Sequence, residues 1–297
     1  MITNMITKHD LYNDLAQAIG IKSLYFKRED LHPYGSHKGR SIPRMIDEYL
    51  KENINHFAIS SSGNAALASA YYIKELNENR ENKIKLEILI GRHIATNKQR
   101  KLEEFKDENI SITMHDRPLQ TLFTITKDPA IRALRQSNDD LALIGYESLA
   151  EELLTIHQLE AVFVGTSSGT TAQALAQYFI KNNHKVEIHI VQTSTCNPIA
   201  KEFVDNNVIE IEENSIADAI VDHTALRKDN LIKLIKETNG NGWIVTNNQI
   251  KIAQELTRNH TDITISTNSA LSIAGLIEAV YTGKKWNGSV ACIICGD

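Results

Sequence analysis

Short apolar runs of strand length alternate along this chain with longer stretches whose apolar residues recur every three or four positions. The runs lie at residues 24–27, 57–60, 86–90, 110–114, 161–165, 186–191, 243–245 and 290–295, and each predicts a strand. Helical spacing predicts helices at 65–76, 97–106, 148–157, 170–181, 248–259 and 269–281. Strand alternating with helix implies an α/β fold whose parallel sheets are covered on both faces. Ligands of such folds bind beyond the carboxyl ends of the strands, where loops run into helix N-termini. The informative residues are therefore those just after each strand.

Composition narrows the picture. The chain has 297 residues, enough for one large domain or two. With 32 Lys and Arg against 37 Asp and Glu, its net charge of −5 gives no electrostatic case for nucleic acid or an anionic membrane. No window approaches the roughly 20 apolar residues of a membrane helix. The start, MITNMITKHD, has no apolar signal core, so a cytoplasmic protein is expected. Three cysteines make no disulfide framework. Cys292 and Cys295 form a CxxC, but on a strand positions three apart point to opposite faces, and no second pair completes a metal set.

Four strand-end loops carry candidate chemistry. After 24–27 comes REDLHPYGSHKGR, where Pro33, Gly35 and Gly39 bracket Lys38 in a tight backbone. A desolvated lysine loses its proton more easily and can form a Schiff base; the same residue also reads as a surface lysine in a turn. After 57–60 comes Ser61-Ser62-Gly63-Asn64-Ala65 at a helix start. Hydroxyls and free helix-start N–H groups there make an anion cradle or, equally, an N-cap. After 161–165 comes Gly165-Thr166-Ser167-Ser168-Gly169-Thr170, a second hydroxyl-rich turn that suits a phosphate. It is neither a Walker A loop nor GxGxxG. The last strand ends at Cys295-Gly296-Asp297, whose thiol is either a small buried hydrophobe or a weak ligand partner.

In this order the four loops resemble the pyridoxal-phosphate enzymes of the tryptophan-synthase-β fold type, fold type II. LYFKREDLHPYGSHKGR (24–40) resembles the family's lysine segment, and SSSGNAALASAYY (60–72) its carboxylate loop in the form found in threonine synthases. VFVGTSSGTT (162–171) stands where the family has its phosphate loop. GYESLAEEL, SIADAI and STNSALSIAGLIEA fit the same pattern, so the likeness runs from about residue 22 to the end. The chain departs from it at His37, at Gly39 where Asp is frequent, and at Ser167-Ser168 where glycines are common.

The resemblance implies two three-layer α/β/α domains with mostly parallel sheets: a large cofactor domain of residues 1–39 plus 146–297, and a small mobile domain of 40–145. Pyridoxal 5′-phosphate would be the cofactor, a small L-amino acid the substrate and a homodimer the assembly. Lys38 would hold the cofactor aldehyde and act as the catalytic base. Asn64 would bond the ring oxygen, Gly165 to Thr170 the phosphate, and Cys295 the ring nitrogen, with Asp297 as an alternative. Ser61, Ser62, Gly63, Asn64 and Ala65 would hold the substrate carboxylate, whose binding would close the small domain. Arg92, His93 and Lys98 would serve a phosphorylated substrate or form a solvated helix start. The implied activity is threonine-synthase-like β,γ-elimination or replacement. A serine/threonine-dehydratase-like ammonia-lyase, a cysteine-synthase-like transferase and a non-catalytic ligand-binding subunit are the alternatives.

Overall fold

The computed structural model describes residues 5–92, 94–204 and 212–296. From the amino end the chain forms β1 (His9–Leu11), α1 (Asn13–Ile19) and β2 (Ser23–Arg28). There follow α2 (Lys38–Lys51), β3 (His56–Ser60), α3 (Asn64–Glu78), β4 (Lys85–Gly91), α4 (Thr96–Glu103), β5 (Ile110–His115), α5 (Pro118–Ile125), β6 (Ile131–Ala133) and α6 (Leu141–Ile144). The rest comprises α7 (Glu147–Leu153), β7 (Leu159–Gly165), α8 (Thr170–Lys181), β8 (Glu187–Thr193), α9 (Lys228–Glu237), β9 (Gly242–Val245), α10 (Asn247–His260), α11 (Thr267–Tyr281) and β10 (Ser289–Ile294). No helix of the described residues is long and apolar enough to cross a membrane.

The chain divides into two compact units. One is His32–Gly145; the other joins the segment ending at Leu31 to the chain from Tyr146 onward. The small domain read from the sequence began at residue 40, whereas this unit begins at His32 and so takes in Lys38 and the turn before it. Its sheet has the order β5-β4-β3-β6, all parallel. Buried residues of β3 and β4, among them Phe57, Ile59, Leu86 and Ile88, form its middle. Parallel strands buried on both faces need nearly continuous apolar sequence, and these have it.

The other unit has a six-stranded sheet, β1-β2-β10-β7-β8-β9, parallel except for β1 against β2. Every residue of β10, SVACII, is buried. Its core gathers Phe26, Phe163, Val191, Trp243, Leu271, Leu276 and Cys292. A capping box of Thr246 and Gln249 starts α10, and the Ser266 hydroxyl accepts the Ser269 N–H at the start of α11. Each such cap stabilises a helix by about 1 kcal/mol. All eight strands read from the apolar runs are present. The two that were missed, β1 and β6, have three residues each, too few to display a period.

Candidate active site

All four candidate loops follow the carboxyl ends of parallel strands. In the first unit α2 begins at Lys38, which is half-buried. The turn before it is drawn tight by a Gly35 N–H bond to the His32 carbonyl, 2.7 Å, with Gly35 at φ 77°. The Ser36 hydroxyl accepts the Lys38 N–H at 3.3 Å, and the Gly39 N–H reaches the Ser36 carbonyl at 3.0 Å. A Cβ at position 39 would overlap the buried ring of His32, so any other residue there, such as the Asp frequent in the resembling family, must displace that ring.

Also in this unit, β3 ends at Ser60 and α3 begins at Asn64, with Gly63 as its N-cap and no side-chain cap. Residues 61–65 are half-buried, and the Ser61 hydroxyl accepts the Gly63 N–H at 3.3 Å. The first N–H groups of a helix have no partner within it. At α3 they sit next to Ser61 and Ser62, at the positive end of a 15-residue helix. This donor set fits a carboxylate, which only accepts hydrogen bonds.

Of the three residues named for a phosphorylated substrate, Arg92 is exposed and bonds Asp116, Lys98 lies in the first turn of α4, and His93 falls outside the described residues. Asp297 also falls outside them.

In the other unit β10 lies between β2 and β7, with Cys292 opposite Phe163. Cys295 and Gly165 therefore leave the sheet at the same end, on neighbouring strands. Helix α11 serves both. The Ser269 hydroxyl is 3.7 Å from the Cys295 sulfur, and a Cβ on Gly165 would meet Leu271 Cβ at 2.9 Å. The Cys295 sulfur also lies 3.6 Å from the Gly296 carbonyl oxygen. Cys292 is fully buried in the core, and burial pushes its thiol well above the ordinary range, with the Ser272 bond opposing. Among the described residues no group of three or more His, Cys, Asp or Glu is arranged to hold a metal ion.

The loop from Gly165 to Thr170 is organised from within. Thr166 Oγ1 accepts the Gly169 N–H at 3.0 Å, and the Ser168 and Thr170 hydroxyls are 3.0 Å apart. Gly169 caps α8 at φ 87°, a left-handed backbone that glycine adopts without strain, and a Cβ there would overlap Leu231. The Ser167 hydroxyl points elsewhere, accepting the N–H groups of Val221 and Asp222 at 3.0 Å each. What the loop offers an anion is therefore Ser168, Thr170 and the N–H groups of the first turn of α8, a set that fits a phosphate ester.

Sequence reasoning missed the residue that holds this loop. Gln192 is fully buried; its Nε2 donates to the carbonyls of Thr166 (3.3 Å) and Ser167 (3.2 Å), and its Oε1 accepts the N–H groups of Ile199 and Ala200, both 2.9 Å. The apolar run ends at Val191, but β8 continues through Gln192 and Thr193. A polar residue directly after an apolar run was the available signal. Asn268 also went unseen; its amide joins Asp218 to the Ala219 N–H, both at 3.0 Å.

A lysine at the start of α2 in one unit and a hydroxyl-rich glycine turn at the start of α8 in the other have the chemistry that enzymes of one class need, those that hold a phosphorylated aldehyde cofactor. The comparisons narrow the class. The pyridoxal-phosphate dependent enzyme family matches residues 5–296, and the chain belongs to it. It is similar to the threonine synthase of Methanosarcina acetivorans, 26% identical over 297 residues, covering 95% of this chain and 72% of that one. Human L-serine dehydratase/L-threonine deaminase is 26% identical over 136 residues, 44% of this chain and 39% of that protein. Serine racemase from Dictyostelium discoideum superposes with a TM-score of 0.81 at 20% identity, covering 98% of this chain and 92% of that one, which establishes the shared fold. The cofactor is pyridoxal 5′-phosphate and the fold is type II.

Proposed function

We propose that the protein eliminates or replaces a group at the β or γ carbon of a small L-amino acid, as a threonine-synthase-like lyase. The SSSGN loop at the start of α3 supports the threonine-synthase-like part of this reading, and elimination or replacement is supported by the Cys295 thiol at the end of β10. That thiol is assigned to the ring nitrogen of the cofactor, as the family resemblance implies. An uncharged thiol holds that nitrogen protonated less firmly than a carboxylate would. When bound, pyridoxal phosphate draws electrons away from the substrate carbon that bears the amino group. With a weakened electron sink, loss of a β or γ leaving group is favoured over transamination.

This chain's own residues divide the remaining work. Ser61, Ser62 and the N–H groups of Asn64 and Ala65 bind the substrate carboxylate and orient the α carbon. Lys38 Nζ takes the α proton and returns it, which requires the neutral amine. When the cofactor is bound, Asn64 would hold its ring oxygen, and the first turn of α8, with Ser168 and Thr170, would hold its phosphate.

The test has two arms. Lys38→Ala should abolish borohydride fixation of the cofactor and all turnover. The wild-type enzyme should then be given L-serine, L-threonine and an O-phosphorylated amino acid, with phosphate, ammonia, keto acid and product chirality all measured. Release of phosphate supports the threonine-synthase-like reading. Ammonia with keto acid points instead to a dehydratase, and inversion at the α carbon without elimination would overturn the lyase assignment.

A further inference from the structure

We propose that His32 is a positioning residue for Lys38, acting through Gly39. The proposal rests on the assignment of Lys38 to the cofactor and deepens it. The His32 ring occupies the place where a side chain on residue 39 would stand. It is 5% exposed, and its Nδ1 accepts the Tyr34 N–H at 3.1 Å. The ring proton is therefore on Nε2. The His32 carbonyl accepts the Gly35 N–H at 2.7 Å. With its side chain and its backbone, this one residue holds both the turn before Lys38 and the backbone just after it.

Two further observations make the brace consequential. Pro43 lies inside α2 and has no N–H to give the Gly39 carbonyl, so the turn bearing Lys38 lacks the bond that ordinarily closes it. Contacts from outside the helix confine the backbone just after that turn. Gly145 lies so close that a Cβ there would come within 2.5 Å of the Arg40 carbonyl oxygen and Ser41 Cα, and Gln136 bonds the Ser41 hydroxyl. On the other side, the Tyr34 hydroxyl donates to Glu75 on α3 at 2.5 Å, and its ring stacks on Tyr71 with centroids 5.9 Å apart. The lysine turn is thereby attached to the helix whose first turn carries Asn64. Backbone geometry one residue from Lys38 sets where its amine can reach, and His32 is the part of the enclosure that touches that residue.

The test uses the full chain reconstituted with pyridoxal phosphate. Three quantities are read: the rate of borohydride fixation, the pH at which the visible band of the bound cofactor changes, and the thermal midpoint by circular dichroism. Gly39→Ala should push the His32 ring aside, slow fixation at least about tenfold and move the pH of the spectral change. His32→Asn keeps an acceptor for the Tyr34 N–H and clears the space over residue 39. The double variant His32→Asn, Gly39→Ala should therefore recover most of the loss. A double variant as slow as Gly39→Ala alone overturns the proposal. So does a set of variants that lose thermal stability while the spectral pH stays fixed, since that marks a merely structural role. If Gly39→Ala yields no folded protein, His32→Ala alone carries the test, and unchanged fixation and spectral pH there overturn the proposal. Cofactor still fixed by borohydride in Lys38→Ala is a different failure, because it removes the assignment beneath the proposal.

Discussion

Two of the helix starts that carry candidate cofactor residues, those of α8 and α2, are held by different means. At the start of α8 the brace is polar: Gln192 makes four hydrogen bonds to backbone groups, two of them in the loop, and the Ser167 hydroxyl makes two more. At the start of α2 shape contributes far more. A ring fills the space over Gly39 and a second glycine, Gly145, lets the backbone of residues 40–41 come close. The difference teaches how each fails. A polar brace fails by leaving buried groups without partners, which no neighbouring side chain can repair. A steric brace fails by overlap, and removing the overlapping atoms can restore it.

Gln192→Leu breaks the comparison most sharply. Two buried N–H groups and two carbonyls lose their partner, and stability should fall by about 2–4 kcal/mol, read from denaturant midpoints of the apoprotein. Retention of full stability would mean that the loop is held by something other than this amide. Gly169→Asp comes next. It forces a side chain into a left-handed backbone position against Leu231 and brings a negative charge to the phosphate loop. Pyridoxal phosphate affinity should fall at least about tenfold, or about 1.4 kcal/mol, by equilibrium titration. If amino-acid affinity falls while cofactor affinity holds, the phosphate and carboxylate loops have been assigned in reverse.

The far end of β8 sharpens the contrast, because the polar brace there contains a titrating group. His189 is fully buried; it accepts the Trp243 indole N–H at Nδ1 (3.2 Å) and donates from Nε2 to Glu187 (2.9 Å). Burial holds its pKa below the ordinary histidine value, with the Glu187 bond opposing. At Glu187 burial acts upward, but the bonds from His189 and Trp286 outweigh it and the carboxyl sits below its usual range. Unfolded His189 therefore takes up a proton at a higher pH than folded His189. Its contribution is complete above about pH 6.5 and is lost as pH falls below that value. Glu187 adds a second loss in the carboxylate range. The thermal midpoint should decline with acid from pH 7 to 5, and His189→Gln should flatten the upper part of that decline.

The smallest effect is expected from Ser167→Ala. Two N–H groups near Val221, which is exposed, turn to water, and stability should change by only about 0.5–1.5 kcal/mol. Cofactor affinity should stay near wild type, since the hydroxyl faces residues 221–222 and not the helix start. A large loss of affinity would return Ser167 to the phosphate-binding set.

Periodicity and local turn chemistry were enough to read much of this protein from its sequence. The continuous apolar runs at 57–60, 161–165 and 290–295 became buried parallel strands, because a strand covered on both faces tolerates little else. The helix starts at Asn64 and Thr170 were legible because glycine and hydroxyl residues mark them within a few positions. Tertiary structure decided what supports them. Gln192 lies about 25 residues from the loop it holds, and Gln136 lies 95 from Ser41. The meaning of Gly39 depends on the ring of His32, seven positions earlier but brought over it by the turn at Gly35. Hydrophobic burial is written residue by residue and repeats with the secondary-structure period. A hydrogen bond or a steric fit between distant segments has no period and exists only once the chain has brought its two sides together.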